Sequence, residues 1–205
     1  MNSKAIEVCG GIASGKTSLA RAVASLGFCS GLENFMLNPF FGAFYDDPTV
    51  HAFETEITFL LQHYHTRKIH AVGQALTIFD FSSALDLAYA KVTLKNDDLK
   101  IFRVVHQSVL SKLVAPSLIV RLRCSPEVEK ERILRRGRPQ EKKIEISYLR
   151  RLDEAIDTVL NERIFRDVPV LELDSEVVNF ATEPSGMELA CRLIFARLEH
   201  TRSSN

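Results

Sequence analysis

Eight residues near the start of the chain have the types and spacing needed to grip a chain of phosphates. Gly10, Gly11, Ile12, Ala13, Ser14, Gly15, Lys16 and Thr17 fit the pattern G-x-x-x-x-G-K-[ST]. Small residues let successive backbone N–H groups curl around an anion, and the following helix, which Ser18 continues, points its positive end at the same charge. Lys16 adds a mobile ammonium for the outer phosphates, and the Thr17 hydroxyl can sit on Mg²⁺. Residues 5–9 read as a short buried strand before this loop. Residues 17–26 read as a helix after it, apolar at Leu19, Ala22, Val23 and Leu26. Loop, strand and helix together predict a nucleoside-triphosphate site.

Other chemistry-bearing residues fall where strands should end. A short, glycine-flanked strand over 27–32 delivers Glu33 at its C-terminal end, the edge where ligands bind in an open parallel sheet. Glu33 is there a candidate general base or a solvated loop carboxylate. A third strand over 75–79 ends at Asp80, placed either to hold Mg²⁺ or, with Ser82 and Ser83, to cap the next helix. That helix carries Asp86 and Tyr89, three apart and so on one face. The stretch 34–48 is too aromatic for an ordinary linker; its rings can bury a ligand ring or pack on the core.

A long helix over 51–68 has Phe53, Ile57, Leu60, Leu61 and Tyr64 on one stripe. Glu56 lies at the edge of that stripe, where a carboxylate snorkels to water or faces a polar pocket. Histidines 51, 63, 65 and 70 lack a carboxylate or Cys partner at a diagnostic spacing, so they do not read as a metal site. The segment 132–143 is the strongest local charge bias in the chain: a solvated helix end or, behind a phosphate loop, a lid of arginines.

These residues need a scaffold, and 205 residues suffice for one domain, 1–205, with a sizeable core. Lys plus Arg and Asp plus Glu number 26 each, so net charge gives no reason to expect a nucleic-acid or membrane partner. Cys9, Cys29, Cys124 and Cys191 form no C-x-x-C pair and read as buried free thiols of a reducing compartment. The first residues lack a signal-peptide core, and no apolar run reaches membrane-spanning length, so the expectation is a cytoplasmic protein. Further helices are expected at 97–113, capped by Asn96, Asp97 and Asp98, from Pro126, at 145–165 and at 184–200. Further strands are expected at 117–124 and 168–174. The order β-α-β-α-β-α-α-β-α-α-β-α predicts a doubly wound α/β fold, a five-stranded parallel sheet with helices on both faces.

At this level of detail the chain resembles the deoxynucleoside kinase family, most of all its bacterial members, over nearly its whole length. The resemblance is carried by the phosphate loop, by Glu33-Asn34-Phe35 with Asn38-Pro39-Phe40, and by Phe44-Tyr45-Asp46-Asp47-Pro48 before the helix containing Glu56. Asp80-Phe81-Ser82 with Asp86 to Ala90, Arg135-Arg136-Gly137-Arg138 with Glu141, and 168–174 complete it. It implies transfer of the ATP γ-phosphate to the 5′-hydroxyl of a deoxynucleoside. By this resemblance Glu33 is the proton acceptor, Tyr45 with Glu141 holds the sugar 3′-hydroxyl, and Phe41 and Tyr89 wall the base pocket. Arg136 and Arg138 meet phosphate charge, and the loop from Asp174 to Asn179 lies against the ATP adenine. The family habit also implies a homodimer through the helices around 52–70 and 97–113.

Three positions depart from the family pattern. Many members carry Gln where Glu56 stands; an ionised Glu is acceptor-only and would favour a base presenting donors. Members usually have an arginine after the third strand's carboxylate, where this chain has Phe81. The family's base-reading Asp falls near Leu85 or Asp86. Two other readings compete: a different small-molecule P-loop kinase, and a nucleotide-binding module without catalysis. Against a nucleoside monophosphate acceptor, only Arg67 and Lys68 offer positive charge between residues 33 and 70, apart from histidine.

Overall fold

β1 (Ala5–Cys9) is buried at all five positions, as expected of a parallel strand covered on both faces. In a computed structural model, which describes residues 5–71, 76–180 and 183–203, it is the middle strand of five. The others are β2 (Cys29–Gly31), β3 (Thr77–Phe79), β4 (Leu118–Arg123) and β5 (Val170–Asp174). All pairings are parallel and the order is β2-β3-β1-β4-β5. The order reverses beside β1, so the C-terminal ends of β1, β2 and β3 open onto one crevice.

The two-residue period of the strands sorts side chains between two cores. Ile6 and Val8 of β1, with Leu118, Val120 and Leu122 of β4, face α1 (Lys16–Ala24) and α8 (Pro184–Ser203). Cys9 and Ile119 face the other way, into a core built with α2 (Phe41–Asp46), α3 (Pro48–His70), α4 (Ser83–Thr93), α5 (Asn96–Leu110), α6 (Pro126–Arg136) and α7 (Ile146–Leu160). Each fully buried Leu, Ile or Val contributes on the order of 1.5–3 kcal/mol, so a charge at Val8 would unseat the loop that follows it.

Local signals set the helix starts. Asp47 caps α3 by accepting from the Thr49 amide, with Pro48 in the first turn. Ser82 caps α4 through Leu85 N, and Ser125 caps α6 through Val128 N. Gly137 ends α6 at φ 74°.

Several expected bounds shift. The strand at 27–32 shortens to three residues, and the start of the third strand at Ala75 lies outside the described residues. Asn96, Asp97 and Asp98 do not cap α5 from outside: Asn96 is already its first residue, at φ 47°, and no side chain caps the end. The last turn of the expected 145–165 helix unwinds after Leu160 into turns that seat Phe165 in the core. The aromatic stretch is ordered, as a 3-10 turn (Phe35–Leu37) followed by α2. All four cysteines are free, and Cys29 is exposed because β2 lies at the sheet edge. Among the described residues no helix is long and apolar enough to cross a membrane.

Candidate active site

The loop 10–15 leaves β1 and enters α1 through Gly15, whose φ of 106° suits glycine. Gly11 lies against the carboxylate of Glu129 on α6, which a Cβ there would push aside. Lys16 folds back over this loop, its Nζ donating to Gly10 O at 2.9 Å and Gly11 O at 2.7 Å. Burial lowers its pKa, against the pull of Glu33, Glu129 and Asp80. The Ser14 hydroxyl is buried beside Gly10 with no hydrogen-bond partner among the described residues, an open valence in a loop built for an anion.

Asp80, at the end of β3, ties this loop to the next site element. Its Oδ2 accepts from Thr17 Oγ1 at 2.6 Å, and its Oδ1 accepts from the backbone N–H of Glu33 at 2.6 Å. Burial raises the Asp80 pKa, opposed by these two bonds. A hydroxyl and a carboxylate oxygen side by side are hard donors of the kind Mg²⁺ takes alongside water and phosphate oxygens, so the residues present fit that ion. The cap of α4 is taken by Ser82 rather than by Asp80.

Thr17, Glu33, Glu56, Asp86, Tyr89 and Glu141 line one cavity of about 1110 Å³, as do Phe41 and Tyr45. The Glu33 side chain is 35% exposed, toward this space. Burial would raise its pKa, but a hydrogen bond and charge from His63, with Lys16 and Arg138, hold it below the ordinary value. Phe41 packs edge-on against Tyr45 at 5.2 Å and lies 4.9 Å from Phe35. Burial, with Glu141 and Glu56 nearby, raises the Tyr45 pKa and keeps its phenol a donor. Tyr89 is likewise held neutral.

Glu56 faces the pocket rather than water. It is 6% exposed, and Thr93 Oγ1 donates to its Oε1 at 3.0 Å. Burial pushes its carboxyl up to about 8; Thr93 works against this and the charge of Asp86 adds to it. Below that pH it is a carboxylic acid, with one donor and one acceptor, and above it the ionised, acceptor-only group.

Arg136 and Arg138 converge on buried Glu141, Arg138 at 3.0 Å, and the Arg138 guanidinium stacks 3.9 Å over the Phe35 ring. The basic segment is therefore joined to the aromatic one. Asp174 does not enter the cavity. Its Oδ1 accepts from Glu176 N and Val177 N, folding the loop whose Ser175, Val178 and Asn179 do line it. Arg132 braces that loop through Ser175.

The model of the deoxynucleoside kinase family matches residues 6–192. The chain belongs to the deoxynucleoside kinase family. It is 29% identical over 191 residues to a deoxyguanosine kinase of Bacillus subtilis (strain 168), covering 89% of this chain and 92% of that one. It is 30% identical over 182 residues to a deoxyadenosine kinase of Dictyostelium discoideum, covering 85% and 74%. Among solved structures, a deoxyadenosine kinase from M. mycoides with bound dCTP superposes with a TM-score of 0.79 at 22% identity, covering 94% of this chain and 99% of that one, a likeness of fold. The protein is thus an ATP-dependent kinase acting on deoxynucleosides.

One part of this kinase's site and one buried pair beneath it are not announced by the sequence. His63 sits between Glu33 and Asp86, with Nδ1 at 2.8 Å from Asp86 Oδ1 and Nε2 at 3.1 Å from Glu33 Oε2. Its spacing of seven from Glu56, two helical turns, was the available signal that both share a face. Arg67 pairs with Glu7 of β1 inside the fold and also donates to Val114 O at 2.6 Å, so it does not face an acceptor phosphate. Among the described residues no group of three or more His, Cys, Asp and Glu side chains is arranged to hold a metal ion.

Proposed function

We propose that Glu33 accepts the proton of the deoxynucleoside 5′-hydroxyl as that oxygen attacks the ATP γ-phosphorus. The observation that carries this reading is the Asp80 bridge: one carboxylate binds both Thr17 of the phosphate loop and the backbone of Glu33. That bridge sets the proton acceptor beside the phosphate end of the cavity. A loose phosphoryl-transfer transition state needs little beyond aligned oxygens and cationic surroundings. Lys16, released from the carbonyls of Gly10 and Gly11, meets the β- and γ-phosphates. Thr17 and Asp80 would hold Mg²⁺, which would neutralise charge on the phosphate oxygens. Arg136 and Arg138 form a lid over the transferred group, and Glu141 positions them and, with Tyr45, the sugar 3′-hydroxyl. Phe41 and Tyr89 wall the base, which Glu56 and Asp86 read. The loop 175–179 receives the adenine of ATP.

Two wider features belong to the same reading. Residues 1–205 act as one cytoplasmic domain. Two copies pair through α3 and α5, where Leu61, Ile69, Ile101 and Val104 are exposed apolar side chains. Sedimentation would report a dimer for this pairing, and a monomer would remove it.

Glu33→Gln tests the central step. It keeps the side chain's size and removes its basicity, so kcat should fall by about 10² or more while ATP still binds. An unchanged kcat would take Glu33 out of the reaction.

A further inference from the structure

His63 is buried, with its ring stacked on Phe81 at 4.0 Å and 4° and on Phe59 at 5.9 Å and 28°. Both ring nitrogens point at carboxylates, Asp86 at one end and Glu33 at the other. A neutral imidazole carries one N–H, which would leave one carboxylate facing a lone pair. Only the doubly protonated ring donates to both.

We propose that His63 is a positioning residue of the phosphoryl transfer: an imidazolium, anchored on Asp86 and clamped by Phe81, that aims Glu33 and supplies the positive charge beside it. The inference rests on the reading of Glu33 as proton acceptor.

The electrostatics agree with the geometry. Burial alone would depress the His63 pKa, but the charges and hydrogen bonds of Asp86 and Glu33 outweigh it and push it up to about 10. The other titratable and charged groups around Glu33 are Lys16 of α1, Arg138 after α6 and Asp80 after β3, whose carboxylate accepts from the Glu33 backbone. Glu56 of α3 also faces this cluster, and burial holds its carboxyl toward the neutral form. Phe81 follows Asp80 directly, and its ring forms the floor under His63.

The consequence for the reaction is specific. His63 occupies Glu33 Oε2, which leaves Oε1 as the acceptor atom. As the 5′-oxygen bonds to the γ-phosphorus and the bond to the ADP oxygen breaks, the hydroxyl proton passes to Oε1. His63 keeps both of its protons throughout. Because its other nitrogen is held by Asp86, a group at the base end of the cavity, the base pocket and the reacting end share one rigid strut.

The test compares His63→Gln and His63→Arg with the parent kinase, reading kcat against pH, KM for ATP, and melting temperature. His63→Gln should lower kcat at pH 7 by about 10- to 100-fold and move the acid limb of the profile to higher pH, with KM for ATP unchanged. His63→Arg, which restores the charge, should bring the acid limb back. An unmoved acid limb in His63→Gln, or an Arg variant no better than the Gln variant, would overturn the proposal. Nitrogen-15 spectra of histidine-labelled parent protein give a second reading free of variant folding. The resonance lost in His63→Gln should show two protonated ring nitrogens at pH 8, and a neutral tautomer there would also overturn it. If Glu33→Gln is fully active, the reading of Glu33 has failed. If Glu33→Gln is inactive while His63→Gln behaves as the parent, only the role of His63 has failed.

Discussion

Replacing Glu56 by Gln should make the kinase more stable at neutral pH and strip the pH dependence from its choice of nucleoside. The carboxyl is buried, takes the Thr93 hydroxyl as its polar partner among the described residues, and is pushed up to about 8 from an ordinary 4.5. The folded state holds this proton more tightly than the unfolded chain does. Stability is therefore unaffected below about pH 4.5 and falls as pH rises from there to about 8. At pH 7, about 2.5 pH units above the ordinary value, keeping the proton costs up to about 3 kcal/mol. Gln needs no proton, so Glu56→Gln should recover up to that amount at pH 7 and nothing at pH 4, measured by urea unfolding at the two pH values. The same chemistry governs recognition. A carboxylic acid offers a donor beside an acceptor, which complements the ring nitrogen and amino group of adenine or cytosine. Ionised, it offers acceptors only. For deoxyadenosine and deoxycytidine, kcat/KM should fall by about 30-fold between pH 7 and 9.5, following the acid fraction, and the Gln variant should lose this decline. Equal stabilities at pH 7, together with an unaltered profile in the variant, would refute the argument that Glu56 is neutral.

Two further outcomes follow from contacts elsewhere. Asp80→Asn should raise the Mg²⁺ concentration needed for half-maximal rate by roughly 10-fold or more, because it removes the anionic donor beside the Thr17 hydroxyl; a metal titration of the rate with an unchanged midpoint would remove Asp80 from the metal site. Glu7→Gln should destabilise the fold by about 3–5 kcal/mol, since it leaves the Arg67 guanidinium buried without its counter-charge. KM for nucleoside in that variant should stay unchanged, and a large rise in KM would mean that Arg67 reaches the substrate after all.

The parts of this site that are legible in the sequence are the ones encoded locally. Gly10 to Thr17 announce a phosphate loop because the loop's function is a backbone shape, and the shape needs particular residues at fixed spacing. β1 and β4 read clearly because strands covered on both faces are mostly apolar, although each carries one buried charge, Glu7 and Arg121, whose partner lies far along the chain. The cluster of Glu33, His63 and Asp86 was not legible. Its members come from three elements that meet only after β2, α3 and α4 have packed, and a lone histidine on a helix carries no sign of that meeting. The position of Glu56 at the edge of its helix stripe is legible, but its ionisation is not, because that depends on burial and on the neighbouring carboxylate of Asp86, both tertiary properties. Glu7 and Arg67, 60 residues apart, made a buried pair that neither residue signals alone. The carboxylate of Asp174 is spent on its own loop's amides, a local turn that competes with ligand contact and that the residue type alone does not reveal.

The most direct test of the account is phosphate transfer from ATP with Mg²⁺ to deoxyadenosine, deoxyguanosine, deoxycytidine and thymidine at pH 7, with the ribonucleosides alongside. The account predicts 5′-monophosphate formation, fastest for deoxyadenosine or deoxycytidine. Bound ATP with no transfer to any of them would contradict it.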